Sequence, residues 1–446
     1  MDSQQAIDYV LALARENHLR DVDLLLGREE SMTVRVLNGR VEKVDQSTDL
    51  GLGIRVVSEG RTGLAYTERL EQTAIEKAVL AARENALLLD PTEVVLNTEI
   101  PDVPAPGALN LYEPKLESLA FDDLAAFALE MESTAKKSDK RVTAVPYASV
   151  GKSRGSYRVV STHGMDYTQE QNSVGAYCGA LLEENGLRKT GSHHWSARVW
   201  DPGQSGKLGR KAVELGAAVL GAEKIAGAAM PIVLDEYCAP QLLGMYLGAF
   251  YAEAAQKGQS RLKGRLGEQI AKPELTLTDD PHRKGAQGSR YLDPEGTPTQ
   301  PLNLIEEGRF TNFLYHVESA RKEGRASTGH AGRGFSGGIS TRTHNVVLAT
   351  GAHSLDELCA IPERCLLVTD LEGAAGCNPL SGDISIGVQG FLVEGGKRVH
   401  PVDSVTIAGN FFELLKQIEA RGNIYQPNLT STFIPALLVE GLVVSS

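Results

Sequence analysis

The chain has 446 residues, 42% hydrophobic and 23% charged, an ordinary globular composition with room for two or three domains. Its 45 Lys and Arg stand against 57 Asp and Glu, and the net charge of −12 disfavours nucleic-acid binding in the absence of a basic patch. Basic residues such as Arg261, Lys263 and Arg265 are scattered and read as a solvated face or a mobile loop.

Ser3 can cap an amphipathic helix running to about His18, with Ile7, Val10, Leu11 and Ala14 at helical spacing. Residues 32–37 mostly alternate and end at Asn38-Gly39, a hairpin-turn dipeptide, with 41–44 as the return strand. Residues 51–57 lead through Glu59-Gly60 into 62–67, a second hairpin. From Leu70 to about Leu87 a helix carries Ile75, Ala78, Val79 and Ala82 on one stripe. Residues 1–90 therefore predict an N-terminal domain in which a sheet packs on two helices. Pro91, Pro101, Pro104, Pro106 and Pro114 mark 90–115 as a linker. A middle α/β domain, 115–225, is predicted from a helix over 116–137, strand-rich sequence to Trp200 and a helix over 206–220. A β-rich C-terminal domain, 226–446, opens with a strand over 231–234 and an apolar helix over 239–255, followed by short strands and glycine turns. The expected class is α+β.

The five cysteines, Cys178, Cys238, Cys359, Cys365 and Cys377, are odd in number and form no C-x-x-C pair. A disulfide framework or a cysteine zinc site is not expected, and a reducing compartment fits. The polar start Met1-Asp2-Ser3-Gln4-Gln5 lacks the character of a signal peptide, and no apolar stretch approaches the length of a bilayer span. The expectation is a cytoplasmic protein without membrane contact, whose sequon Asn428-Leu429-Thr430 meets no glycosylation enzyme.

Short catalytic patterns fail on context. Gly332, Gly334 and Gly337 satisfy G-x-G-x-x-G, but a polar Arg-Lys-Glu stretch precedes them and a β-like run follows, where a dinucleotide site needs strand then helix. Gly334-Phe335-Ser336-Gly337-Gly338 matches the nucleophile-elbow pattern, and Asp370, Asp383 and His400 follow in the order a triad requires. The helix after Ser336 is missing, and the bland alternative is a flexible or ligand-contacting loop. S-x-x-K occurs at Ser133, Ser260 and Ser319 without its companion motifs. The ten histidines include no H-E-x-x-H pair, and the adjacent His193 and His194 would point to opposite faces of a strand. Asp279-Asp280-Pro281-His282 reads as a turn. His330 and Arg333 either present donors to a peptide carboxylate or backbone, or His330 ties a turn to a nearby carbonyl.

Longer blocks are more specific. They include Asp293-Pro294-Glu295-Gly296-Thr297-Pro298-Thr299-Gln300, Ile305-Glu306-Glu307-Gly308 and Ser327-Thr328-Gly329-His330-Ala331-Gly332, followed by Ser381-Gly382-Asp383, Gly390-Phe391-Leu392-Val393-Glu394-Gly395-Gly396 and Ile407-Ala408-Gly409-Asn410. With Gly51-Leu52-Gly53-Ile54-Arg55-Val56 near the start, they resemble the TldD/PmbA family, also called modulators of DNA gyrase, over essentially the whole chain. In that family the TldD-like branch resembles a zinc metalloprotease with an H-E-x-x-x-H helix and a C-terminal Cys ligand. The PmbA, or TldE-like, branch lacks these ligands and pairs with the first in a heterodimeric protease acting on unfolded peptides. Here Gly244, Met245 and Ala249 occupy the positions of the motif's first His, Glu and last His, and residues 426–435 contain no Cys. The chain thus resembles the PmbA branch.

The resemblance implies a subunit with no catalytic residue and no metal of its own, with zinc in a TldD-like partner and an unfolded peptide as substrate. Leu242, Leu243, Tyr246, Leu247 and Phe250 form an apolar ridge, beside which Gly244 and Gly248 are expected to permit close packing. The candidate peptide-binding residues are His330, Arg333, Gly332 and Asp383. The competing readings are a self-sufficient hydrolase using Ser336, and a scaffold protein that forms homodimers in isolation.

Overall fold

The computed structural model describes residues 1–445 apart from Glu93, Glu99 and Ile100. Among the described residues the first half of the chain builds one six-stranded antiparallel sheet in the order β3-β2-β1-β4-β5-β6. Its strands are β1 (Asp21–Leu37), β2 (Arg40–Ser58), β3 (Arg61–Thr67), β4 (Val142–Ser161), β5 (Asp166–Glu184) and β6 (Leu187–Ala197). The strands of 1–90 and those of 115–225 therefore belong to a single sheet, joined where β1 pairs with β4.

Local chemistry accounts for this order. Asn38 and Gly39 take φ of 54° and 74°, and Glu59 and Gly60 take 52° and 72°, the backbone that a tight two-residue hairpin requires. Both expected hairpins form, and the first extends far beyond 32–44 because residues 41–44 and 51–57 are parts of one strand. Helix α1 (Ser3–Glu16) is capped by Asp2 rather than Ser3, through Gln5 N–H to Asp2 Oδ1 at 2.8 Å. It packs with α2 (Gln72–Leu88) on one end of the sheet, where Ile7, Val10, Ile75 and Val79 meet Leu24, Leu52 and Ile54. On the other end, the expected helix over 116–137 divides into α3 (Pro114–Glu117) and α4 (Phe121–Ser138). With α5 (Gln204–Ala218), α4 covers Val150, Val174 and Cys178. Buried Glu132 of α4 accepts the N–H groups of Asn38 and Gly39, both at 2.7 Å, and pins the hairpin tip to the helix.

Residues 90–115 are not a free linker. Val94, Leu96, Leu109 and Leu111 are buried, and Asn97 donates to Glu295 O at 3.0 Å; Glu93, Glu99 and Ile100 lie outside the described residues.

The second half contains an eight-stranded sheet, a five-stranded sheet and a two-stranded ribbon among the described residues. The largest sheet includes β7 (Ala228–Ala229) and β8 (Ile232–Leu234), and the five-stranded one is centred on β9 (Leu277–Asp279). Between β8 and β9 lie α6 (Cys238–Gly244) and α7 (Ala252–Gln256). The class is mixed α+β. No described helix is long and apolar enough to cross a membrane.

Candidate functional site

The segment expected as one helix over 239–255 is two short helices with a break between them. Asp235 starts α6 by accepting the N–H groups of Tyr237 (3.0 Å) and Cys238 (2.7 Å) on Oδ1. After Gly244 the chain leaves the α-helix, forms a 3-10 turn over Leu247–Phe250 and extends at Tyr251 before α7. Tertiary contacts compete with helix continuation here: the Tyr246 ring stacks on Phe411 at 4.8 Å and its hydroxyl donates to Asp383 O at 2.7 Å. The ridge of Leu242, Leu243, Tyr246, Leu247 and Phe250 is buried as its spacing implied. The two glycines do not serve close packing. A Cβ on Gly244 would meet nothing within 4 Å, and one on Gly248 only the Tyr251 ring at 3.9 Å. Gly244 thus faces open space, whereas Ala249 is buried at 2% exposure.

Neither Gly244, Met245 nor Ala249 offers a lone pair suited to zinc, and Ala249 lies on a 3-10 turn beyond the end of α6. Among the described residues no three His, Cys, Asp or Glu side chains gather to hold a metal. The residues present do not fit zinc.

Beside α6 a cleft of about 670 Å³ opens between the middle and C-terminal parts of the chain. Its walls include His193 and His194 of β6, Lys211 of α5, and Asp235, Tyr237 and Cys238 at the start of α6. The two histidines do not part company as strand alternation implied. Because β6 is the edge of its sheet, Tyr237 reaches both rings, at 5.6 and 6.2 Å between centroids. Burial, with smaller contributions from His194 and Lys211, pushes the His193 imidazole down to about 4, so it is neutral at pH 7. Burial likewise holds the Cys238 thiol well above its ordinary value, leaving no thiolate nucleophile. It pushes Tyr237 up to about 12 and Asp235 up to about 6. The cleft offers neutral imidazoles and a tyrosine hydroxyl beside the ionised Asp235 carboxylate, and no activated nucleophile.

The glycine segment is docked, not free. Arg333, expected as an exposed donor, is buried with Nη1 on Asp23 Oδ1 at 2.7 Å. Asp23 is the cross-strand partner of Arg55, and Arg55 Nη1 reaches Glu295 Oε1 at 2.5 Å, closing a buried cluster of two carboxylates and two guanidiniums. Phe335 seals the contact. A Cβ on Gly51 would run into its ring and one on Gly53 into its backbone, so strand glycines shape the seat, and Tyr66 borders the ring at 6.2 Å. His330 is fully buried, with Nε2 3.2 Å from Asp279 Oδ2 and its ring 4.5 Å from that of His344. Burial opposes ionisation of Asp279, yet the His330 imidazole at 3.2 Å, the nearby His344 ring and the His344 N–H bring its pKa below the ordinary value. Asp279 lies on β9 and is not a turn residue. Gly332 is buried in the ribbon strand Ala331–Gly332, under the Arg342 side chain. Of the four candidate peptide contacts only Asp383 is exposed; hydrogen bonds from Ser381 (2.6 Å) and Asn410 (3.2 Å) hold its pKa below the ordinary carboxylate range. Ser336 is exposed, and no hydrogen bond joins it to a histidine or carboxylate among the described residues.

The sequence profile of the PmbA/TldA metallopeptidase C-terminal domain matches residues 227–446, that of domain 1 matches 22–86 and that of the central domain 114–220. The chain belongs to the PmbA/TldD family. It is 29% identical to "Metalloprotease PmbA" of Escherichia coli O157:H7 over 98% of this chain and 96% of that protein. It is 25% identical to a "Metalloprotease TldD homolog" of Haemophilus influenzae over 89% of this chain and 84% of that one. A solved Thermotoga maritima structure, described as a candidate modulator of a DNA gyrase, superposes with a TM-score of 0.88 at 28% identity and full coverage of both chains. TldE of Thermococcus kodakarensis shares the fold, with a TM-score of 0.85 at 24% identity over 99% of this chain and 100% of that one. The relatives carry both PmbA and TldD names.

Proposed function

We propose that this chain is the non-catalytic, PmbA-like subunit of a two-chain metalloprotease, holding unfolded peptide while a TldD-like, zinc-bearing partner cleaves it. The observation that carries the reading is the state of α6. Its ligand positions hold Gly244, Met245 and Ala249, and its backbone breaks between the first and the last. The cleft beside α6 supports a peptide-holding role. Neutral imidazoles and the Tyr237 hydroxyl can bond peptide amides, and the Cys238 thiol is held protonated. The test is reconstitution with an H-E-x-x-x-H paralogue from the same genome, followed by peptide cleavage and elemental analysis of each chain and of the pair. Cleavage by the pair alone, with zinc in the paralogue, is expected. Zinc-dependent cleavage by this chain in isolation would overturn the reading, and metal-independent cleavage lost in Ser336→Ala would replace it with a serine hydrolase.

A further inference from the structure

The face of the six-stranded sheet opposite its helices meets the C-terminal part along a second groove, of about 470 Å³, separate from the cleft beside α6. Strand alternation places it there: Leu24 and Leu26 enter the helix-covered core, while Leu25, Gly27 and Glu29 line the groove. Four arginines line it, Arg28, Arg198, Arg290 and Arg333, against two carboxylates, Glu29 and Asp49, both exposed on the β1–β2 hairpin. Arg28 pairs with Glu30 and Arg333 with Asp23, which leaves Arg198 and Arg290 without a carboxylate partner among the described residues.

Two of the arginines have bonding capacity that the fold does not consume, and a third has no counter-charge. Arg290 makes no ion pair among the described residues, its Nε is buried without an acceptor, and its guanidinium lies over the Tyr157 ring at 6.0 Å. Its backbone is fixed, with N–H donating to Pro281 O at 2.9 Å and the carbonyl accepting from Thr299 at 2.6 Å, so the head group is presented from a rigid base. Arg333 bonds Asp23 through Nη1 and leaves Nη2 buried without a partner. Arg198 has only backbone carbonyls for company: those of Gly285, Leu111, Asn172 and Ala286, at 2.7–3.3 Å. A buried donor without an acceptor is a standing cost, and an unpaired guanidinium in a concave site is relieved by an anion of matching geometry.

We propose that this groove is a carboxylate-binding site for peptide, with Arg290 as the bidentate fork and Arg198 and Arg333 as supporting positive charge. The carboxylate belongs either to the C-terminus of a peptide or to an Asp or Glu side chain within it. Only the choice of peptide as the bearer rests on the function proposed above.

Binding to the isolated chain tests this without any cleavage, so its outcome is independent of whether a zinc-bearing partner exists. Three fluorescent, unstructured decapeptides are titrated by anisotropy: a free acid, its C-terminal amide, and an amide carrying one central Glu. The free acid is expected to bind about tenfold tighter than the plain amide, and Arg290→Gln should bring that ratio near one. A Glu-bearing amide that binds as well as the free acid assigns the site to side-chain carboxylates and supports the groove equally. Should Arg290→Gln fail to fold, Arg290→Lys carries the test, since it keeps the charge and loses the fork and should leave an intermediate ratio. Equal affinities for all three peptides, absence of binding, or a ratio that survives Arg290→Gln or stays at the wild-type value in Arg290→Lys would overturn the proposal.

Discussion

Replacing Asp235 with Asn is expected to stabilise the protein at neutral pH and to have much less effect in acid. The carboxyl sits at the start of α6 with 7% of its surface exposed. Burial raises its pKa from 3.8 to about 6; bonds from the Cys238 and Tyr237 N–H groups pull it down, and neighbouring Glu236 adds to the rise. The folded state therefore binds a proton more tightly than the unfolded chain. Between the two values the native form carries more protons, so stability falls as pH rises from about 4 to 6 and stays low above that. Evaluated across that interval, the penalty is about 1 kcal/mol at pH 4.5 and about 3 kcal/mol at pH 7.5, an upper bound. Asn keeps the Oδ1 acceptor for both helix N–H groups while removing the charge. Over a cooperative unit of 150–250 residues the gain at pH 7.5 corresponds to roughly 6–12 °C in Tm. Calorimetry of wild type and Asp235→Asn at the two pH values reads the difference directly. If the gap in Tm is the same at both, or if Asp235→Asn melts below wild type at pH 7.5, buried Asp235 is not a net cost and the reasoning fails. A carboxyl kept where it weakens the fold, on the wall of the cleft beside α6, has the character of a functional group.

Four further outcomes follow from the packing. Gly51→Ala should cost about 1–3 kcal/mol by displacing Phe335, and adding Phe335→Ala should recover most of that loss in a double-mutant cycle read by Tm. Arg55→Ala leaves Asp23 and Glu295 buried without their shared cation and is expected to cost about 3–5 kcal/mol in denaturant unfolding, a loss absent if the cluster contributes only locally. His330→Ala should lower Tm by an amount equivalent to about 1–3 kcal/mol, because Asp279 loses its buried partner; an unchanged Tm with weakened peptide cleavage would restore the exposed-donor role. Gly244→His should fold like wild type, since its Cβ enters open space, whereas Ala249→His should unfold at lower temperature, and far-UV circular dichroism with melting separates the two.

The elements most legible in the sequence are those set by short-range chemistry. Asn38-Gly39 and Glu59-Gly60 dictate their turns locally, and the stripe of Ile75, Ala78, Val79 and Ala82 announces α2 without reference to the rest of the chain. The unity of the large sheet was hidden because β1 pairs with β4 across more than a hundred residues, and no local pattern encodes such a partner. The site suffered most. His330 and Arg333 sit among glycines, a composition that reads as a flexible loop, but their partners Asp279 and Asp23 lie far away in sequence. One signal was present. Arg55 interrupts the apolar run from Leu52 to Val57, and a lone charge in a buried strand demands a buried counter-charge. Asp23, its cross-strand neighbour, could have been found from the hairpin register once both turns were placed. The glycines at 51 and 53 carried a second clue, since two glycines inside a strand point to a close approach from elsewhere, here Phe335.

On the proposed reading, the geometry of α6 also explains how the fold persists with Gly244, Met245 and Ala249 at the matched positions. The C-terminal core draws on Leu242, Leu243, Leu247 and Phe250, all at or below 7% exposure, which occupy the inner side of the segment. Gly244 occupies the opposite side, against open space, so the residue there is nearly irrelevant to packing. A fold of this kind constrains the ridge and leaves the first ligand position to function alone. Position 249 behaves differently. The 3-10 turn carries Ala249 into the core, so an imidazole there requires the surrounding packing, the Tyr246–Phe411 stack included, to yield. On that reading, histidines at 244 and 249 supply only half of what a zinc site needs here. The other half is backbone, held in its broken form by the Tyr246 hydroxyl on Asp383 O and by the Phe250–Leu314 and Ala252–Leu314 hydrogen bonds.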